Sequence, residues 1–112
     1  MGLDTETLLA EQVALLAAGD VAGLASRYHP QGVVLHEGGA VKGIEAILDL
    51  LSRSASVPRR TVQARTVCRT DDTLLYDVVQ DIADSRVRIV GSFMLRDGLI
   101  WRHTSLAVPI EP

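Results

Sequence analysis

Lysine is all but missing from this chain, with Lys42 against ten arginines, and cysteine occurs once. Aromatic residues make up only 4%. Each scarcity excludes something. With Cys68 alone, no internal disulfide can form, and a reducing, cytoplasmic setting is expected. The net charge is −3 and the basic residues are scattered, so neither a nucleic-acid partner nor a basic membrane-binding face is expected. No run approaches the roughly 18 apolar residues that a membrane span requires. Asp4 and Glu6 stand where a secretory leader would be basic, so the start does not read as a signal peptide. No third ligand is patterned with the histidines, so neither a metal nor another cofactor is expected. The arginine bias matches a GC-rich bacterial genome.

What is present is enough for a core. Hydrophobic residues form 47% of 112 residues, which predicts one domain over residues 1–112 that folds without staples. The first half reads as helices. Asp4 or Thr5 can cap a helix in which Leu9, Val13 and Leu16 recur at helical spacing, with Leu8 and Gln12 on its flank. Gly19 ends it and Asp20 caps a second helix running to about Tyr28. Pro30 and Gly32 precede a short strand, Val33 to His36, and Gly38-Gly39 turns the chain into a hairpin. Gly43 then leads into a third helix carrying Ile44, Ile47, Leu48 and Leu51 on one face, and residues 52–58 read as a loop.

The second half reads as four strands, near 60–69, 73–83, 86–96 and 99–108, split by short Asp-rich turns. That makes an antiparallel meander. A turn at Asp84-Ser85 sets Gln80 opposite Ile89 and Tyr76 opposite Phe93, with Asp81 opposite Arg88 on the other face. A loop at Arg96-Asp97-Gly98 sets Phe93 opposite Trp101 and Gly91 opposite His103. Tyr76, Gln80, Ile89, Phe93, Trp101 and His103 then share the face that the helices must cover. The other face carries Arg65, Asp77, Asp81 and Arg88 as cross-strand pairs, with Val79, Val90 and Met94 among them.

This order of elements resembles the nuclear transport factor two-like superfamily. Ala18-Gly19-Asp20-Val21 with Leu24 and Tyr28 resembles the helix–GD–helix step of its SnoaL-like, polyketide cyclase and ketosteroid-isomerase-like branch. Gly43-Ile44-Glu45-Ala46-Ile47 resembles the opening of their third helix, and Phe93 through Asp97-Gly98 to Ile100 their last hairpin. The resemblance implies an α+β fold, a cone-shaped α+β barrel. In it a curved antiparallel sheet, a four-stranded meander plus a short N-terminal hairpin, wraps around three N-terminal helices and encloses a pocket. It also implies a homodimer through the outer sheet face.

The resemblance does not carry over the best-known chemistries. The isomerases' oxyanion-hole tyrosine falls on Gln12, their proton-shuttling aspartate on His36 and their proton-donating aspartate on Gly91; only a supporting tyrosine is kept, as Tyr28. The last aspartate of the limonene epoxide hydrolases falls on His103. The candidates for chemistry are therefore His36 and His103, which titrate near neutrality and could divide acid and base roles across an apolar cavity. Gln12, Tyr28, Tyr76, Gln80, Ile89, Gly91, Phe93 and Trp101 are the candidate ligand contacts, Gly91 by leaving space opposite His103. Glu37 either swings in to polarise a histidine or stays a solvated turn residue.

Two functions fit this reading. One is a lyase, isomerase or cyclase-type enzyme using histidine acid–base chemistry on an apolar or polyketide-like substrate. The other is a non-catalytic ligand-binding or dimerisation domain, in which each imidazole is tied to a backbone carbonyl or a tyrosine.

Overall fold

The computed structural model describes residues 2–110. Helices α1 (Leu8–Ala17) and α2 (Val21–Ala25) lead into a hairpin of β1 (Tyr28–His36) and β2 (Gly39–Lys42). Helix α3 (Ile44–Ala55) follows, and then β3 (Arg59–Arg69), β4 (Thr73–Ile82), β5 (Ser85–Arg96) and β6 (Leu99–Pro109). All six strands join one sheet in the order β2-β1-β6-β5-β4-β3. Every neighbouring pair is antiparallel except β1 and β6, which run parallel. β2 and β3 remain edges, so the sheet is curved but unclosed, and the expected barrel is corrected to an open cone.

Local chemistry explains most boundaries. Gly19, at φ 68°, takes the left-handed conformation that ends α1, and the Asp20 carboxylate then accepts from the Gly23 N–H at 2.9 Å to cap α2. The expected cap at the first helix is different. Thr5 is buried and donates to the Thr70 carbonyl at 2.6 Å, pinning the N-terminal segment to the β3–β4 turn, so α1 starts only at Leu8. Helix α3 continues to Ala55 through a segment read as loop; within it the Ser52 hydroxyl turns back onto the Leu48 carbonyl at 2.8 Å, which keeps it from competing for the backbone elsewhere. Tyr28 is the first residue of β1 and not the end of a helix.

The β4–β5 turn is centred one residue earlier than expected. Ile82 pairs with Ser85, Gln80 with Val87, Val78 with Ile89 and Tyr76 with Gly91. Moving a turn centre by one residue shifts every partner by two. Because side chains alternate with period two, the faces survive unchanged.

The β5–β6 connection is a two-residue turn, Asp97-Gly98, with both φ values positive (54° and 75°), the geometry that matches strand twist. Leu95 then pairs with Ile100 but Met94 pairs with Arg102. Trp101 is the extra residue of a β-bulge. The bulge resets the alternation, so Ile100 and His103 both point inward while Trp101 points out.

Leu8, Ile47, Leu74 and Ile100 are fully buried and plug one end of the cone. Phe93, Tyr28 and Val34 extend this core along the sheet. Beyond them, toward Ile82 and Ile89, the helices no longer fill the concave face.

Candidate functional site

That unfilled part of the cone is a chamber of about 370 Å³. Its roof is α1 and α3, through Leu9, Val13, Leu16, Leu50 and Leu51, and its floor is the concave face of β4, β5 and β6. A volume in this range accommodates a small organic molecule. His36, His103, Gln12, Tyr28, Tyr76, Gln80, Ile89 and Phe93 all line it.

Gly91 and Trp101 do not, and each has a physical reason. A Cβ on Gly91 would lie 1.9 Å from the Thr104 carbonyl oxygen and 2.6 Å from the Tyr76 hydroxyl. The missing side chain makes room for the Tyr76 phenol, which crosses its cross-strand partner, and leaves no space for a ligand. Its partner on β6 is Ser105, not His103. Trp101, turned outward by the bulge, packs against the guanidinium groups of Arg102 (3.7 Å) and Arg96 (5.0 Å).

His103 sits at the closed end, packed against Phe93 with ring centres 4.3 Å apart. Its Nδ1 is 2.8 Å from the Tyr28 hydroxyl and its Nε2 is 3.0 Å from the Tyr76 hydroxyl. The proton positions follow from the partners. The Tyr76 hydroxyl also reaches the Thr104 carbonyl at 3.1 Å, which can only accept, so Tyr76 donates there. Tyr76 must therefore accept from His103 Nε2–H, which leaves Nδ1 unprotonated to accept from Tyr28. The result is a one-way chain: Tyr28 to His103 to Tyr76 to the Thr104 carbonyl.

Removal from water, and then the charge of nearby His36, lower the His103 pKa from 6.5 to about 3. Burial raises the Tyr28 pKa, with Tyr76 adding to the rise. It pushes Tyr76 up to about 12, opposed by the Ser105 hydroxyl. All three groups are neutral at physiological pH. Only an acceptor lone pair on the Tyr28 oxygen is left for a ligand.

His36 closes β1 one step further along, paired with Ser105 and diagonal to His103. Its Nδ1 accepts the Gly38 N–H at 3.0 Å, so the neutral ring carries its proton on Nε2. Glu37, exposed at the rim of the chamber, accepts from the Ala107 N–H at 3.3 Å, and no hydrogen bond joins it to a histidine among the described residues.

Gln12 is buried, with its carbonyl oxygen taking a hydrogen bond from Arg27 Nε. Arg27 in turn reaches Glu11 at 2.7 Å. Gln80 is occupied on both sides, by Arg59 at 2.8 Å and by Thr61 at 3.3 Å. Arg59, which lines the chamber, was not among the expected residues. A signal for it exists in the sequence: adjacent Arg59 and Arg60 on one strand must face opposite sides of the sheet. Arg60 takes the outer side and pairs with Asp81.

The chain thus presents a curved, open α+β cone whose helices leave a largely apolar chamber with a few polar groups. The chain belongs to the SnoaL-like domain family, within the nuclear transport factor two-like superfamily; the family model matches residues 9–103. No curated protein matches the sequence significantly. Among solved structures, a protein from Sphaerobacter thermophilus is similar at TM-score 0.83 and 18% identity, over 97% of this chain and 100% of that one. SalBIII, an epoxide hydrolase/cyclase-like enzyme of pyran ring formation in salinomycin, is similar at TM-score 0.74 and 14% identity (92% and 89% covered). A provisionally assigned polyketide cyclase from Sinorhizobium meliloti is similar at 0.68 and 22% (83% and 87% covered). These likenesses establish the fold.

Proposed function

We propose that this chain binds a small, mostly apolar organic molecule in the chamber, and that His36 handles a proton there in a lyase, isomerase or cyclase-type step. The observation that carries the reading is the asymmetry of the two histidines. Both nitrogens of His103 are engaged by tyrosines, and charging it is strongly opposed by burial. His36 has one ring nitrogen held by a single exposed hydrogen bond, from the Gly38 N–H, and its Nε2 has no hydrogen-bond partner among the described residues. The two-histidine division of labour therefore reduces to one acid–base group and one fixed hydrogen-bonding wall. SalBIII, of the same fold, is a cyclase-like enzyme, which fits this reading.

Proton transfer at carbon is the common element of these reactions, so 2-tetralone is a suitable probe. Its α-proton exchange in deuterium oxide, followed by NMR, is expected to accelerate with the protein. His36→Gln is expected to remove at least ~100-fold of that acceleration, the scale of one general base. Equal exchange rates with wild type and His36→Gln would remove His36 from chemistry. The saturated His103 favours a second reading, binding without turnover; tetralone bound with no accelerated exchange would select it.

A homodimer through the outer sheet face belongs to the same proposal. Leu106, at 51% exposure, lies beside Val90 across the ladder, with Leu35, Leu75 and Met94 also exposed on strands of the sheet.

A further inference from the structure

The chamber wall carries a cation, Arg59, that forms no ion pair among the described residues, and Glu37, the chamber's carboxylate, lies at the exposed rim and accepts from the Ala107 N–H. Arg59 opens β3, is half-buried, and faces the cavity beside Ile82 and Leu51. Its Nη1 donates to Gln80 Oε1 at 2.8 Å and its Nη2 to the Ser54 carbonyl at 3.0 Å. Both are neutral acceptors, so they aim the guanidinium without compensating its charge. Its Nε is buried with no hydrogen-bond partner among the described residues. Arg60, Arg65, Arg86 and Arg88 on the outer face each reach Asp77 or Asp81, whereas among the described residues Arg59 reaches no carboxylate within 4 Å. Burial alone acts on its pKa, in the lowering direction. A partly dry cation with spare donors and no counter-ion is costly to keep unless something charged completes it.

We propose that Arg59 anchors an anionic group of the chamber's ligand, a carboxylate by chemical class. This rests on the chamber being a ligand site. Gln80, which positions Arg59, lies four residues along β4 from Tyr76, about 13 Å at strand spacing. An organic acid held by Arg59 thus extends an apolar body of roughly that length past Ile89 and Val78 toward the Tyr28 oxygen, which accepts from a ligand hydroxyl.

Two fluorescent probes separate the chamber from the anchor. N-phenyl-1-naphthylamine is neutral, and 1-anilinonaphthalene-8-sulfonate carries an anion on the same rings. Arg59→Gln is expected to weaken the sulfonate by at least about tenfold, the scale of a lost charge-assisted contact, with the neutral probe within about twofold. Arg65→Gln, on the outer face, controls for surface charge and is expected to change neither. Both probes bound equally well by wild type and Arg59→Gln would overturn the anchor and leave the chamber standing. No binding of either probe to wild type would overturn both.

Should Arg59→Gln not fold, wild-type protein loaded with the neutral probe decides the question. Octanoate is expected to displace the probe at lower concentration than 1-octanol. An advantage for the alcohol, as a purely apolar pocket requires, would overturn the proposal.

Discussion

At the scale of single residues, the deciding event is how hydrogen-bond partners use up a side chain. His103 was expected inward and lies inward, yet two tyrosines and the Thr104 carbonyl consume its chemistry. Its folded pKa, about 3, lies below the unfolded value of 6.5. Between those values the unfolded chain binds more protons, so stability rises with pH across this window. This contribution is fully present above about pH 6.5 and is lost as pH falls toward 3. His103→Gln keeps one donor and one acceptor without titrating. Urea midpoints measured from pH 7.5 to 5 are expected to fall less steeply in this variant than in wild type. Parallel slopes would show that His103 is charged in the fold.

At the scale of elements, register decides which residues meet. Tyr76 and Gly91 pair across β4 and β5, and the chain of hydrogen bonds passes through the space that Gly91 leaves. Gly91→Ala places a methyl into the Thr104 carbonyl and the Tyr76 hydroxyl, and the backbone cannot yield as a flexible side chain would. A destabilisation of about 2–3 kcal/mol is expected in urea unfolding, the range of overpacked sites. Tyr76→Ala in the same background is expected to recover little, because the carbonyl clash persists. The strands themselves were readable from alternation, and so were their faces, since an error of two in pairing preserves parity. The bulge at Trp101 was not readable. One inserted residue leaves no compositional mark, and its effect, turning Trp101 out while Ile100 and His103 stay in, exists only where β6 meets β5.

At the scale of the whole molecule, the open edge and the outer face matter most. Charged pairs cover much of that face, each worth only ~0–1 kcal/mol where exposed. The apolar side chains between them are the larger resource. Sedimentation of the wild-type protein at micromolar concentration is expected to show a dimer, and Leu106→Asp a monomer with unchanged secondary structure. A monomeric wild type would remove the proposed interface. Among the described residues no helix is long and apolar enough to cross a membrane.

The cone was legible because its causes are local. Hydrophobic period, glycine at turns and an Asp20 cap act within a few residues, and together they specify helices first and a meander afterwards. The family resemblance followed from the same short motifs. The chamber's chemistry depended on contacts between distant segments: Tyr28 with His103, Ser54 and Gln80 with Arg59, Gly91 beneath Tyr76. Residue type shows that a histidine can titrate and an arginine is charged. Only the tertiary structure decides whether a partner has already claimed the proton or neutralised the charge, because desolvation and hydrogen bonding act at distances of a few ångströms between residues far apart in the chain.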